Sequence, residues 1–206
     1  MGRRTALTVT RPAAVVVLLL LAGGLWSDPR ARVDHATVTV EQRAGRSWCV
    51  LDSQISLETP ATVEALVGVI NDFEAYPKLF PDIREVGTEK VEGATLLTEK
   101  VVVSALGVEN VNRFTLRVTP PLVDASQKTV RVEWTQEKTD GTIDSLGGGW
   151  ILEDWGTGQA PLTRITYRNH SAVPVVVFGQ DVVVRMFLGD RMRTTVEAVA
   201  KKALSR

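Results

Sequence analysis

The sequence of 206 residues contains only one cysteine, two histidines and two tyrosines. A single thiol, Cys49, excludes an internal disulfide, so stability has to come from a buried core. We interpret Cys49, in the stretch SWCVL, as a small apolar strand residue rather than a reactive thiol. The two histidines, His35 and His170, are far apart in the chain and neither lies in a metal-ligand spacing, so no zinc site is expected.

No apolar run reaches the roughly 20 residues that a membrane-spanning helix needs. The longest run, residues 12–26, follows Arg3, Arg4 and Arg11 and precedes the polar stretch SDPRAR, which is the pattern of a secretory signal. We therefore expect residues 1–27 to be a signal peptide and the protein to be exported, to the periplasm or another extracytoplasmic space. The alternative is an uncleaved N-terminal anchor, which would give association with the inner membrane.

The chain also lacks an excess of basic residues. Without the three arginines of its first 27 residues, 21 basic residues remain against 24 acidic ones, a net charge of about −3. A nucleic-acid partner is therefore not expected, since it would require a clustered basic surface.

Signatures of catalysis are missing as well. There is no G-x-S-x-G elbow. The run Gly147–Gly149 lacks the Lys-Ser/Thr of a phosphate-binding loop and precedes a strand. We interpret this run as a place where the strand bends sharply or another backbone approaches closely. No catalytic residue, metal or cofactor is predicted.

The chain divides into a charged segment, residues 28–46, predicted as a linker with an edge strand, and one domain, residues 47–206. Alternation in WCVLDSQISLE predicts a first strand. ETPATVEALVGVIND predicts a helix with Thr59 as its N-cap and Pro60 in its first turn. FEAYPKLF predicts a second, short helical piece that Pro81 ends.

Period-two alternation dominates the next 90 residues. Phe114, Leu116 and Val118 share one parity, which is typical of antiparallel strands with one buried face. Six such strands are followed by an amphipathic helix of about 25 residues at the C-terminus. We predict an α+β fold in which a curved, seven-stranded antiparallel sheet wraps around the long helix, with two short helices after the first strand. The sheet and the helix should enclose a hollow.

Three motifs resemble those of a known group of proteins. They are D-F-x-x-Y-P (Asp72, Phe73, Tyr76, Pro77), G-x-W-x-L (Gly148, Trp150, Leu152) and T-R-x-x-Y (Thr163, Arg164, Tyr167). With the order of elements, they make residues 47–206 similar to the START-like (SRPBCC) superfamily with its helix-grip fold, and most like its polyketide cyclase/dehydrase and coenzyme-Q-binding branch. The resemblance implies a cavity for a lipid, quinone, sterol or polyketide, and it implies no shared catalytic set. The export signal departs from cytosolic and mitochondrial relatives.

The function predicted from these features is non-enzymatic binding or transport of a hydrophobic small molecule or lipid between the sheet and the C-terminal helix. The residues predicted to line the cavity are Phe73, Tyr76, Phe80, Phe114, Leu116, Trp134, Trp150, Leu152, Tyr167, Val182, Met186 and Phe187. The alternatives are a cyclase- or aromatase-type enzyme and an interaction module whose core is closed.

Two sets of side chains leave alternatives open. The aromatics Phe73, Tyr76 and Phe80 either plug the end of the core or form the gate of the cavity. A catalytic carboxylate pair could be assembled from Glu99, Glu109 or Glu133. Scattered acids on alternating strands are interpreted as solvated faces, however, which argues against an enzyme.

Overall fold

The computed structural model describes residues 32–43, 45–105, 108–140, 143–157, 160–175 and 180–206. The signal or anchor predicted for residues 1–27 lies outside these residues. None of the described helices is long and apolar enough to cross a membrane.

The elements follow the predicted order, with two strands added. They are β1 (Arg32–Arg43), β2 (Arg46–Thr59), α1 (Val63–Ile70), a 3-10 turn (Phe73–Ala75), α2 (Tyr76–Leu79), β3 (Ile83–Val91), β4 (Ala94–Ala105), β5 (Val108–Val118), β6 (Leu122–Asp124), β7 (Thr129–Thr139), β8 (Ser145–Asp154), β9 (Thr163–Pro174) and α3 (Gln180–Leu204).

All described strands form one antiparallel sheet in the order β1-β2-β9-β8-β7-β5-β4-β3, with β6 pairing beside β7. From β3 to β9 the order is the predicted meander, and β2 pairs with β9. The α+β helix-grip fold is confirmed, although the sheet has nine strands instead of seven. The sequence pattern missed β1 as a long element because the strand is polar and largely exposed at the sheet edge.

The N-cap predicted for α1 is wrong. Thr62, not Thr59, caps the helix, since its hydroxyl accepts a hydrogen bond from the Ala65 amide at 3.2 Å. Thr59 is still the last residue of β2, where it pairs with Thr163 of β9. Strand pairing therefore extends past the Thr-Pro boundary, and the helix begins three residues later than Pro60.

The long helix α3 packs mainly against β1, β2 and α1. Its buried side chains recur every three or four residues and are Leu188, Met192, Val196, Val199, Ala200 and Ala203. Because α3 leans toward the β1–β2 edge, it does not cover the inner face of β4, β5 and β7. That part of the sheet is closed by the residues between α1 and β3.

The triple-glycine run in β8 is a close approach, as its sequence predicted. Gly148 pairs with Trp134 of β7 on one side and Asn169 of β9 on the other. A Cβ at Gly148 would overlap the carbonyl oxygen of Arg168 and lie 2.8 Å from Cζ2 of Trp134. The missing side chain therefore makes room for the indole of Trp134 on the inner face.

Replacing Gly148 with alanine should destabilise the protein by about 2 kcal/mol or more, because the backbone oxygen of Arg168 cannot yield as a flexible side chain would. The matched control is Gly147→Ala, where the nearest atom to the added Cβ is 3.6 Å away. Urea denaturation of both variants measures the difference. Equal midpoints for the two variants would contradict this account of β8.

Candidate functional site

The residues between α1 and β3 form a cap over the open half of the sheet. We call residues 72–82 the cap segment. Tyr76 lies at its centre, with Phe73 at a ring-centroid distance of 5.5 Å and Phe80 at 5.0 Å, both edge to face. The Tyr76 hydroxyl donates a hydrogen bond of 2.6 Å to the carbonyl oxygen of Ile70 at the end of α1. The three aromatics form one row beneath the cap.

Proline sets the shape of this cap. Pro77 lies in the first turn of α2, where a missing amide hydrogen costs nothing, and α2 ends before Pro81. Each end of the cap segment forms an ion pair with the C-terminal part of the chain. Asp82 pairs with Arg191 of α3, and Asp72 pairs with Arg206, two residues beyond the end of α3. The two ion pairs thus link both ends of the cap to α3 and to the residues that directly follow it.

Beneath the cap lies a cavity of about 250 Å³. Its walls come from the inner faces of β3, β4, β5, β7, β8 and β9, from the cap, from Ile70 of α1 and from Thr195 of α3. The lining residues are Ile70, Phe73, Tyr76, Phe80, Asp82, Ile83, Leu97, Glu99, Val101, Phe114, Leu116, Val118, Val132, Trp134, Leu146, Trp150, Tyr167, Asn169 and Thr195. The cavity was predicted between the sheet and the C-terminal helix, but the cap forms more of its described roof than α3 does.

The wall opposite the cap is a cluster of aromatic rings. Tyr167 of β9 packs against Trp150 of β8 at 4.5 Å and stacks on Trp134 of β7 at 5.8 Å between centroids. Trp150 and Tyr167 are direct cross-strand partners, and Trp134 reaches them over Gly148. The spacing of the two motifs G-x-W-x-L and T-R-x-x-Y therefore places both rings on one wall.

Eight of the twelve predicted site residues line the cavity: Phe73, Tyr76, Phe80, Phe114, Leu116, Trp134, Trp150 and Tyr167. Their role in ligand binding stays a prediction. Leu152 does not line it, because it is fully buried in the core farther along β8. Val182 is 55% exposed, since the buried face of α3 continues through Val184 instead. The side chains of Met186 and Phe187 lie outside the described part of the chain.

The residue that sequence reasoning misjudged is Glu99. It was interpreted as part of a solvated face, but its side chain points inward on β4 and is only 7% exposed. Burial raises the pKa of its carboxyl from 4.5 to about 7. Glu99 alternates with Leu97 and Val101, which also line the cavity, and this alternation could have indicated an inward side chain. Residues 101–103 are apolar at both strand parities, however, and this obscured the pattern.

Within the described residues, no hydrogen bond or ion pair to the Glu99 carboxyl is found. Its neighbours include two tyrosines whose pKa values rise above the ordinary value of 10. Burial is the larger cause for both Tyr76 and Tyr167, and the negative charge of Glu99 adds to it. These groups are close enough to interact electrostatically, and the carboxyl has no described partner of opposite charge.

Other polar groups lie on the same inner face. Asn169 lines the cavity beside Tyr167, two residues along β9. Asn112 lies on β5 two residues before Phe114, the cross-strand partner of Glu99, and its buried side-chain oxygen Oδ1 has no hydrogen-bond partner. The described wall of the cavity is therefore mostly apolar, with polar side chains at Asp82, Glu99, Asn169 and Thr195.

The outer face of the sheet brings both histidines near one carboxylate. His35 lies 3.3 Å from Asp52, and His170 is the cross-strand partner of Asp52. The fold thus joins residues that are far apart in sequence. Within the described ranges, no group of three or more histidine, cysteine or acidic side chains has a geometry that could hold a metal ion.

Comparisons with known proteins show the class of fold. No protein-family model and no curated protein sequence matches the chain. Among solved structures, a STAR-related lipid transfer protein from Xanthomonas axonopodis matches with a TM-score of 0.59 at 13% identity, over 83% of this chain and 99% of that one. The Zhui aromatase/cyclase from Streptomyces sp. R1128 matches with a TM-score of 0.55 at 17% identity, over 76% of this chain and 95% of that one. Human STARD10 matches with a TM-score of 0.57 at 14% identity, over 82% of this chain and 73% of that one.

The chain therefore has the START-like helix-grip fold, as its motifs indicated. At these identities the likeness concerns the fold alone.

Burial of Glu99 makes a prediction about stability. Below about pH 4.5 the carboxyl is protonated in the folded and in the unfolded protein, so its charge does not lower the free energy of unfolding. Above about pH 7 the carboxyl is ionised in both, and the folded protein carries the full penalty of burying the charge. Relative to wild type, Glu99→Gln should therefore gain about 3 kcal/mol of unfolding free energy between pH 4.5 and pH 8.

Urea denaturation across this pH range measures that gain. The matched control is Glu89→Gln on β3, whose side chain is exposed and which should show no such trend. If the free energies of unfolding of Glu99→Gln and wild type differ by the same amount at all pH values, the carboxyl is not buried as described.

Proposed function

We propose that the protein binds and carries a hydrophobic small molecule in the cavity beneath the cap segment, without chemical conversion. The observation that carries this proposal is a space of about 250 Å³ with a largely apolar and aromatic wall, in a chain of only about 200 residues. A core of this size is ordinarily close-packed, with few voids larger than a water molecule. An apolar cavity of this volume therefore suits a ligand.

The volume limits the ligand. It is slightly below the range of about 300–1,000 Å³ that is usual for pockets of drug-sized molecules, which favours a compact ligand or one segment of a longer one. Burial of about ten methylene groups, at about 0.8 kcal/mol each, gives on the order of 8 kcal/mol before the costs of ordering. The corresponding affinity is roughly micromolar or weaker.

The solved structures of similar fold support this class of ligand. The structure from Xanthomonas axonopodis is named for lipid transfer, and the structure from Streptomyces is named an aromatase/cyclase. The classes of ligand that we propose are lipids, quinones and polyketide-like molecules.

A second candidate function is that of a cyclase- or aromatase-type enzyme, and Glu99 favours it. A carboxyl with a pKa of about 7 inside an apolar cavity, near Tyr167, could act as a general acid or base on a polyketide-like substrate. Carrier and enzyme differ in one respect: the carrier releases its ligand unchanged.

We further propose that the protein works outside the cytoplasm. The support is in the sequence, where Arg3, Arg4 and Arg11 precede the apolar residues 12–26. The mass of the purified chain reports whether this segment is removed.

Native mass spectrometry of the full chain, expressed in a bacterium, tests the proposal. We expect a co-purified or exchangeable apolar molecule that organic extraction recovers unchanged. Leu116→Trp, which fills the cavity, should lower occupancy by about tenfold or more, since the indole takes the volume of the ligand. The matched control Leu122→Trp changes an exposed side chain and should retain the ligand.

Two results would count against the carrier. A folded protein that neither co-purifies with nor takes up any apolar molecule has a closed core, which is the property of an interaction module. An extracted molecule that is chemically altered by wild type but unaltered by Glu99→Gln would establish the enzyme instead.

A further inference from the structure

The acidic side chains in the described lining of the cavity are not balanced by basic side chains there. Glu99 is buried in its wall without a described partner, and Asp82 at its edge is already paired with Arg191 of α3. Among the described lining residues, none is lysine, arginine or histidine. The basic side chains of Lys100 and Arg113, adjacent in sequence to Glu99 and Phe114, have the opposite strand parity, and Lys100 pairs with Glu85.

Aromatic residues are neighbours of the same carboxyl. Phe114 is its direct cross-strand partner. Tyr76 and Tyr167 lie within electrostatic range of it, and Trp134 and Trp150 pack against Tyr167. The faces of aromatic rings attract cations, most strongly where water is excluded. A carboxylate among aromatic rings is therefore complementary to a small cation with hydrogen atoms to donate.

We propose that the cavity takes an amphipathic amine, whose protonated amino group binds the Glu99 carboxylate while its hydrocarbon part lies along Leu97, Leu116 and Val118. This inference rests on the proposed carrier function and names the chemistry of its ligand. The same arrangement excludes fatty acids and other anionic ligands, because their charge would be buried beside that of Glu99 with no cation to offset it.

Protonation is part of the recognition. At pH 7 the Glu99 carboxyl, with a pKa of about 7, is about half protonated in the empty cavity. An ammonium group favours the ionised form, so binding should release about half a proton at this pH. The other ionisable groups that face Glu99 are Tyr76 and Tyr167, and near them the Asp82–Arg191 pair and Asp72, which pairs with Arg206.

A series of four decyl compounds with one chain length tests the inference: decylamine, 1-decanol, decanoate and decyltrimethylammonium. Isothermal titration calorimetry of the delipidated full chain should rank decylamine first, about tenfold or more ahead of decanol, with decanoate weakest. Decyltrimethylammonium, which has the charge but no N–H donor, should lie between decylamine and decanol. Titrations in two buffers of different ionisation enthalpy measure the released proton.

Changes of pH and of residue 99 provide the decisive comparisons. The preference for decylamine over decanol should grow from pH 5.5 to pH 8, and Glu99→Gln should abolish both the preference and the proton release. The control Glu89→Gln, on the exposed face of β3, should leave both unchanged.

Two outcomes separate this inference from the function on which it rests. If decanol or decanoate binds as tightly as decylamine at pH 8, the inference of an amine ligand is wrong, while the carrier function stands. If none of the four compounds binds to the folded protein, the carrier function fails and the amine with it.

Discussion

The size of the sheet relative to the helix constrains the whole structure. The nine described strands present an inner face that one helix of 25 residues cannot cover, and α3 packs mainly against β1, β2 and α1. The remaining inner face, from β4 to β8, would be exposed to water without the cap segment. The cap covers it with aromatic side chains that lie across a space rather than filling it. The cavity follows from this division of the sheet between helix and cap.

The same geometry accounts for the chemistry of the cavity. A strand places alternate side chains on one face, so Glu99 has to lie inward once Leu97 does. Natural proteins rarely bury a carboxyl without a partner, because the cost reaches several kcal/mol. Such a residue is favoured where a ligand supplies the missing partner or where proton transfer needs a raised pKa. Carrier and cyclase are therefore two uses of one arrangement, and they differ in what happens to the ligand.

Much of the fold was predictable because its signals are local. Alternation marked the inner face of β5, and paired motifs placed Trp150 and Tyr167 on adjacent strands. The aromatics of the cap were predictable for the same reason, since the prolines on either side of Phe80 restrict the segment to short turns. Glu99 was not predictable from charge patterning alone. Its burial depends on which parity of β4 faces inward, and the apolar residues 101–103, which occupy both parities, do not fix that choice. Its lack of a partner depends on side chains distant in sequence.

Titration of the Glu99 carboxyl itself, by carbon-detected NMR of the side-chain carboxyl group, is the most direct test of a cavity selective for amines. The prediction is a pKa near 7 in the empty protein, and a fall toward the ordinary value when an amine occupies the cavity. A pKa near 4.5 in the empty protein would contradict it, because the carboxyl would then be hydrated or paired, and the cavity would lack the charge on which its selectivity depends.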